Sequence, residues 1–144
     1  MIGRDRIAAL IPHAGTMCLL AEVTSWDDRS IRCRATSHRD PANPLAVDGR
    51  LGVASGVEYA AQAMALHGGL SGVVGERPAA GYLASLRALV AHVDRLDDLD
   101  GDLIIEAERL AGEAASVSYQ FNLHHAGRLL LSGRAAVILD AGKA

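Results

Sequence analysis

Residues 51–75 constrain the fold most, because this long stretch is almost entirely apolar and carries a single formal charge, Glu58. From Val53 to Leu66 the composition predicts a helix, since Ala, Met, Leu, Glu and Gln are good helix formers. The Gly68–Gly69 pair predicts its end. A helix on a protein surface normally has a charged face. This one has none, so we expect it to be buried on nearly every side.

Glu58 and Gln62 interrupt the apolar helix, and their spacing of four places them on one face. A carboxylate in such surroundings needs a physical reason. Ser55-Gly-Val-Glu58 fits the S-x-x-E capping box, in which Glu58 bonds back to the start of the helix. Alternatively, Glu58 is a catalytic acid near a helix N-terminus and faces an apolar slot. The two interpretations are compatible, since a capping residue can face a cleft.

Length and composition limit the other possibilities. The chain has 144 residues, half of them hydrophobic, so we expect one domain over residues 1–144 with a substantial core. A net charge of −3 and few aromatic residues argue against a nucleic-acid partner. The N-terminus does not resemble a signal peptide, and the polar residues and glycines within 51–75 argue against a membrane span. We therefore expect a cytoplasmic protein, in which Cys18 and Cys33 are reduced structural thiols, a disulfide or a nucleophile being the alternatives.

Alternating and β-branched patterns predict strands on both sides of the long helix. After a short helix at Arg4–Leu10, strands are expected at Met17–Trp26, Ile31–Ser37, Ala80–Val93, Leu103–Leu110, Ala115–His124 and Arg128–Leu139. Short turns join the later strands, so we expect a mostly antiparallel sheet of five or six strands. One apolar helix in the concave face of such a sheet is the hotdog fold, of class α+β. The uncovered sheet edge and helix flank suggest a dimer.

Two motifs resemble those of the 3-hydroxyacyl-acyl-carrier-protein dehydratases. Leu10-Ile-Pro-His13 followed by Met17-Cys-Leu-Leu-Ala-Glu-Val23 is similar to their L-P-H-x-x-P-F/M-x-L-L/V-D-x-V opening. Residues 56–63 are similar to their helix motif G-x-x-x-E-x-M/L-A-Q-A/S and match its E-x-x-A-Q core at Glu58, Ala61 and Gln62. Asn-Pro-Leu at 43–45 and Gly-Arg-Leu at 49–51 add a likeness to the divergent branch found in aryl-polyene-type gene clusters.

The resemblance implies that the chain converts a 3-hydroxyacyl thioester of acyl carrier protein or coenzyme A into a 2-enoyl thioester, without a metal or cofactor. A base must remove the C2 proton, an acid must protonate the leaving hydroxyl, and a donor must stabilise the thioester oxygen. Glu58 corresponds to the family's catalytic glutamate, and Gln62 would hold Glu58 or a water in place. Backbone N–H groups at the helix start are the candidate donors, namely those of Gly52, Val53, Ala54 and Ser55.

The family's catalytic histidine has no direct counterpart here. It lies 14 residues before the glutamate in a G-H-F-P-G loop, where this chain has Pro44. His38 is the predicted base, reaching the site of the other subunit if a longer loop folds back; otherwise it is an exposed loop residue and the chain lacks its base. Structural roles are expected for the other histidines: a turn at His13 (catalysis being the alternative), the core or an interface at His67, and the surface at His92, His124 and His125.

An acidic carrier protein or a coenzyme A phosphate would require a positive docking surface. Arg32, Arg34, Arg39 and Arg50 are the candidates, and a solvated strand face is the alternative interpretation. Two rival functions also stay open. In a hotdog thioesterase Glu58 would activate water. Alternatively, the chain is not an enzyme but a binding or structural partner of an active dehydratase in a mixed dimer, an interpretation that the missing loop histidine motivates. A homodimer and a mixed hotdog dimer are both compatible with the sequence.

Overall fold

A computed structural model describes residues 2–11, 15–71, 81–112 and 116–139. In chain order the elements are β1 (Ile2–Gly3), α1 (Arg4–Leu10), β2 (Glu22–Trp26), β3 (Ser30–Ala35), α2 (Gly56–Ser71), β4 (Gly81–Ala91), β5 (Leu103–Gly112), β6 (Ser116–His125) and β7 (Arg128–Leu139). Short 3-10 turns lie at Gly15–Met17, Ser37–Arg39 and Val53–Ser55. The predicted short helix at Arg4–Leu10 is confirmed.

Within those ranges, seven strands form one sheet in the order β1-β2-β3-β5-β6-β7-β4, and every pairing is antiparallel. The chain leaves the sheet after β3, forms α2 and returns at the opposite edge as β4. The prediction of an α+β hotdog fold is confirmed, but five or six strands is an underestimate. The extra strand is β1, whose two residues pair with β2 and are too short to show any periodicity.

The predicted start of the long helix is confirmed, but its predicted end is wrong. Residues Val53–Ser55 form a 3-10 turn that leads directly into α2, and α2 continues through the Gly68–Gly69 pair to Ser71. Each glycine costs about 1 kcal/mol relative to Ala inside a helix. Burial of Leu66 and the packing of Leu70 against the core offset that cost, so tertiary contacts override local propensity.

Alternating strand residues form the core under α2. The buried positions of β5 and β6 are Leu103, Ile105, Ala107, Val117, Tyr119, Phe121 and Leu123. The N-terminal end of α2 approaches this layer closely, because a Cβ added at Gly56 would lie 2.8 Å from side-chain carbons of both Leu123 and Leu131. Only a glycine permits this approach, which fixes the height of the start of α2 above the sheet.

Apolar surface remains exposed at the β4 edge and on one flank of α2. On β4 the exposed side chains include Leu83, Leu86, Leu89 and Val90, each 39–46% accessible. Ala65 and Gly68 of α2 are also exposed, so the prediction of burial on nearly every side fails on this flank of the single chain. Within the described chain, none of the helices is long and apolar enough to cross a membrane.

Candidate active site

Gln62 fixes the position of Glu58. Its Nε2 donates to Glu58 Oε2 at 3.3 Å and to the Met17 carbonyl at 2.7 Å, while its Oε1 accepts the Leu19 N–H at 3.0 Å. The two backbone partners identify the oxygen and the nitrogen of the Gln62 side-chain amide, because a backbone carbonyl only accepts and a backbone N–H only donates. Gln62 is fully buried and Glu58 is partly buried. The predicted pair therefore exists and is anchored to the segment before β2.

The capping-box interpretation of Glu58 is wrong. That motif requires the Ser55 N–H to donate to the Glu58 carboxylate. Instead, the Ser55 N–H donates to the Gly52 carbonyl at 3.0 Å, as part of the 3-10 turn that begins the helix. Backbone bonds close the helix start, and Glu58 is held from the other side by Gln62, one turn further along. Glu58 therefore does not cap the helix through the Ser55 N–H.

Two of the four predicted N–H donors are already engaged. The Val53 N–H donates to the Asp94 carbonyl at 3.0 Å, and the Ser55 N–H is used as described above. A thioester oxygen would have to break these bonds, so the prediction is corrected for Val53 and Ser55. Gly52 and Ala54 are the predicted donors that lie outside both bonds. Local sequence could not reveal this, because Asp94 reaches the helix start from beyond β4.

A directed hydrogen-bond chain joins α2 to the loop before it. Asn43 Nδ2 donates to Tyr59 Oη at 3.0 Å, and Ser37 Oγ donates to the Leu19 carbonyl at 2.7 Å. The Tyr59 hydroxyl must then donate to Ser37 Oγ, 2.8 Å away. Tyr59 is a core residue, as expected, but the role of Asn43 was missed. The Asn-Pro-Leu motif at 43–45 was the available signal, since Asn43 Oδ1 also accepts the Leu45 N–H at 2.9 Å.

His38 is buried rather than exposed, with 1% of its surface accessible. Its Nε2 lies 3.0 Å from the Leu99 carbonyl, so Nε2 carries the hydrogen and Nδ1 of the neutral ring carries the lone pair. Nδ1 is itself buried and has no hydrogen-bond partner among the described residues. Burial lowers the pKa of His38, which keeps the ring neutral at pH 7. The alternative of an exposed loop histidine is therefore wrong.

The two predicted catalytic side chains are anchored on different segments of the protomer. His38 is tied to the Leu99 carbonyl, on the stretch between β4 and β5, whereas Gln62 ties Glu58 to Met17 and Leu19. The described hydrogen bonds do not join His38 to Glu58. The assignment of the base to His38 stays a prediction.

His67 is a core residue, as expected. It is fully buried, and both ring nitrogens are bonded: Nε2 lies 2.8 Å from the Asp27 carbonyl and Nδ1 lies 2.8 Å from Tyr119 Oη. The remaining histidines lie toward the surface or outside the described residues: His92 is exposed, His124 lies 3.0 Å from Glu106, His125 contacts the Asp100 carbonyl, and His13 is not described.

Three of the four arginines proposed for carrier docking are paired with carboxylates. Arg32 pairs with Glu106 at 2.9 Å, Arg34 pairs with Glu22 at 2.7 Å and Asp102 at 3.5 Å, and Arg39 pairs with Asp100 at 3.3 Å. Neighbouring carboxylates therefore balance the charges of these three arginines. This pairing agrees with the alternative interpretation, in which the arginines belong to a solvated surface. Arg50 lies elsewhere, beside a groove near the start of α2.

Cys18 and Cys33 are buried free thiols, which matches the structural role expected for them. Burial raises the pKa of the Cys33 thiol to about 12, so it stays protonated and unreactive near neutral pH. Within the described ranges, no group of three or more His, Cys, Asp or Glu side chains is arranged to hold a metal ion.

Comparison with protein families gives a match over nearly the whole chain. The model of the ApeP-like family, described as ApeP dehydratase, matches residues 5–141. No curated protein sequence matches the chain.

Solved structures show the same fold. A chain of the dehydratase heterocomplex ApeI:P from Xenorhabdus doucetiae is 25% identical, with a TM-score of 0.82 over 96% of this chain and 91% of that one. A mutant thioesterase from Pseudomonas aeruginosa has a TM-score of 0.68 at 13% identity, covering 94% and 92% of the two chains. A thioesterase from Haemophilus influenzae has a TM-score of 0.62 at 13% identity, covering 85% and 80%. At such identities the thioesterases share the fold alone.

Proposed function

Because the chain belongs to the ApeP-like dehydratase family, we propose that it acts in the dehydration of a 3-hydroxyacyl thioester carried by acyl carrier protein or coenzyme A. The reaction breaks the C2–H and C3–O bonds, forms the C2–C3 double bond and releases one water. The observation that carries the proposal is the position of Glu58, a partly buried carboxyl at the start of the central helix, held by the fully buried Gln62.

Glu58 supplies the acid. Its carboxyl proton goes to the leaving C3 hydroxyl, which departs as water. Gln62 contributes by orientation, because its amide is fixed by Met17 and Leu19 and presents an N–H to one carboxyl oxygen. With the capping role excluded, Glu58 has no part in closing the helix start. Gly52 and Ala54 are the proposed donors to the thioester oxygen.

His38 is the proposed base, and Nδ1 is the atom that would accept the C2 proton, because Nε2 carries the hydrogen bonded to Leu99. A neutral ring with a lone pair on Nδ1 has the required protonation state. With 1% of the residue accessible, however, a substrate can reach Nδ1 only if the segment that covers it moves. If it does not move, the base comes from a second chain, and this chain supplies only the acid half of the site.

A second hotdog chain is proposed to pack along β4. This edge strand presents Leu83, Leu86, Leu89 and Val90, and an exposed apolar edge invites pairing with another strand. The exposed flank of α2 is uncharged and suits the same contact. The related structure from Xenorhabdus doucetiae is a dehydratase heterocomplex, which favours a mixed pair over a homodimer. Light scattering of the purified chain, alone and after co-expression with a hotdog protein of the same cell, separates these two arrangements.

The test of function is turnover of a 3-hydroxyacyl thioester, followed by the ultraviolet absorbance of the enoyl product. Glu58→Gln keeps the shape and removes the acid, so the rate should fall roughly 10²–10⁴-fold. Glu108→Gln is the matched control, because Glu108 is an exposed residue of β5 and its change should leave the rate unchanged. A normal rate in Glu58→Gln would contradict the proposal and favour the non-catalytic partner.

His38→Asn, compared with the exposed His92→Asn, tests the base. If His38 takes the C2 proton, the rate falls as it does for Glu58→Gln, and the loss appears whether or not a second hotdog chain is present. A normal rate for His38→Asn would assign the base to the partner. Release of free thiol in place of an enoyl product would instead show a thioesterase.

A further inference from the structure

The backbone of Leu19 is held on both sides by polar side chains. Leu19 is fully buried and lies between the first 3-10 turn and β2. Its N–H donates to Gln62 Oε1 at 3.0 Å, and its carbonyl accepts from Ser37 Oγ at 2.7 Å. Buried backbone groups need partners, and here each partner is a side chain from a distant part of the sequence. The position of Leu19 therefore depends on Gln62 and Ser37 together.

Leu19 joins two hydrogen-bonded groups into one network that ends at the proposed acid. On one side, the Tyr59 hydroxyl donates to Ser37 Oγ at 2.8 Å, and Ser37 donates to Leu19. On the other side, Gln62 Nε2 donates to Glu58 Oε2 at 3.3 Å. We call the connected residues the Leu19 network; in the order of donation they are Asn43, Tyr59, Ser37, Leu19, Gln62 and Glu58.

The direction of donation is fixed on the Asn43 side of the Leu19 network. Asn43 Oδ1 accepts the Leu45 N–H at 2.9 Å, so the amide nitrogen of Asn43 is the atom that faces Tyr59. Burial raises the pKa of Tyr59, so its hydroxyl keeps the proton that it donates. Ser37 has a single hydroxyl hydrogen, which the Leu19 carbonyl accepts. Hydrogen bonds aligned in this way polarise one another in a buried site, so the loss of one weakens the next.

Buried polar side chains concentrate around the Leu19 network. Among the described residues, four polar side chains are buried, namely those of His38, Asn43, Gln62 and His67. Asn43 and Gln62 belong to the network, and His38 directly follows Ser37. The His38 ring lies outside the network, but Asn43 Nδ2 also donates to the Ser37 carbonyl at 2.9 Å and so holds the turn that carries His38. Buried polar groups cost free energy unless they are paired, so this concentration beside Glu58 indicates a role other than packing.

We propose that Tyr59 is a positioning residue for the dehydration, an inference that rests on the proposed function. Through Ser37 and Leu19, its hydroxyl fixes the Gln62 amide, and that amide directs the Glu58 carboxyl toward the C3 hydroxyl of the substrate. Tyr59 itself touches no reacting atom. Positioning at this distance matters because a displacement of about 1 Å at a reacting group costs about 10²-fold in rate.

Tyr119 provides a matched control for Tyr59. Both tyrosines are buried, and Tyr119 Oη lies 2.8 Å from His67 Nδ1, away from Gln62 and Glu58 in the described hydrogen bonds. Replacement of either tyrosine by phenylalanine removes one buried hydroxyl and keeps the ring. If Tyr59 only stabilises the fold, Tyr59→Phe and Tyr119→Phe behave alike. If Tyr59 positions Glu58, only Tyr59→Phe alters the site.

Amide hydrogen exchange, followed by nuclear magnetic resonance of the full chain, tests the structural part of the proposal without turnover. Tyr59→Phe and Ser37→Ala should each speed exchange of the Leu19 N–H roughly five- to tenfold relative to the amides of β6, because the bonds that hold Leu19 are weakened. The side-chain NH₂ signals of Gln62 should shift in both variants. Ser37→Thr keeps the hydroxyl and should restore wild-type exchange, and Tyr119→Phe should leave the Leu19 N–H unchanged. Thermal unfolding of each variant checks that the fold is intact.

Turnover of 3-hydroxybutyryl-coenzyme A, measured with the chain alone and in complex with its second hotdog chain, tests the catalytic part. Tyr59→Phe should lower kcat roughly tenfold and leave KM nearly unchanged, because the hydroxyl does not contact the substrate. Gln62→Met removes the next member of the Leu19 network. Adding Tyr59→Phe to Gln62→Met should therefore cost no further activity, whereas two independent effects would multiply.

The outcomes separate this proposal from the dehydratase proposal. Unchanged Leu19 exchange in Tyr59→Phe and Ser37→Ala would overturn the positioning role even if dehydration is observed. Equal losses of kcat in Tyr59→Phe and Tyr119→Phe, or losses that multiply in the double variant, would contradict it as well. A normal rate for Glu58→Gln would instead remove the proposed function and the positioning role with it, while the exchange data would still report the hydrogen bonds between Tyr59 and Gln62.

Discussion

Among the residues that the structure describes, two histidines are fully buried, His67 and His38, and their surroundings are opposite. His67 belongs to the C-terminal half of α2, and both its ring nitrogens are bonded, one to the Asp27 carbonyl and one to the Tyr119 hydroxyl. His38 lies in the loop before α2 with Nε2 bonded to Leu99 and Nδ1 unpaired among the described residues.

This difference separates a structural histidine from one that needs another explanation. A buried polar atom without a partner costs free energy, so native proteins keep few of them, and those kept often belong to a functional site or bind a water. His67 has the complete set of partners expected of a stabilising residue. His38 does not, which is why it remains the proposed base although it is covered in the protomer.

The largest expected effect is on stability, at His67. His67→Leu leaves the buried Tyr119 hydroxyl without a partner and also removes the bond to the carbonyl of the exposed Asp27, so the free energy of unfolding should fall by about 3 kcal/mol. Urea denaturation measures this, with the exposed His92→Leu as the control. A loss below about 1 kcal/mol would mean that water replaces the ring, and the two histidines would no longer differ.

A smaller loss is expected at His38. His38→Leu removes the hydrogen bond to Leu99 but also removes the unpaired Nδ1, so the two changes partly offset each other and the net loss should be about 1 kcal/mol. The same urea titration provides the measurement. A loss as large as that of His67→Leu would show that Nδ1 has a partner in solution, and the contrast drawn here would fail.

The smallest expected effect is a difference in pH dependence. Burial places the pKa of folded His38 below its ordinary value of about 6.5, so between the two values the unfolded chain binds more protons. Stability contributed by neutral His38 is therefore present above pH 6.5 and is lost as the pH falls toward the lower, folded value. Wild type should lose more stability between pH 7.5 and 5.5 than His38→Leu does. Parallel curves for the two proteins would contradict the burial argument.

The sequence predicted the fold well because the relevant signals are local. The uncharged stretch around Glu58 predicted a central helix, and the alternation in β6 predicted a half-buried strand. Both follow from side-chain periodicity, which is fixed by backbone geometry. The predicted end of α2 was wrong because the low helix propensity of glycine is a weak effect. The packing of Leu66 and Leu70 outweighs it.

The candidate site was only partly predictable. Glu58 and Gln62 could be paired because four residues make one helical turn. The burial of His38 and the use of the Val53 N–H by Asp94 could not be read from local sequence, since both contacts join loops that are distant along the chain. The same holds for the carboxylates that balance Arg32 and Arg34, which depend on the register between β2, β3 and β5.

By itself the sequence determined a largely apolar helix on an antiparallel sheet. It also determined that the Glu58 carboxyl and the Gln62 amide lie on one face near the start of that helix. Only the tertiary structure showed that Glu58 does not cap the helix and that His38 is buried with one ring nitrogen bonded and the other unpaired among the described residues. It also showed that Arg50, Arg95 and Arg128 line one groove. The physical reason is the range of the interactions. Helix and strand patterns depend on neighbours within a few residues, whereas a hydrogen-bond partner, a buried lone pair or a cluster of charges exists only once distant segments have packed together.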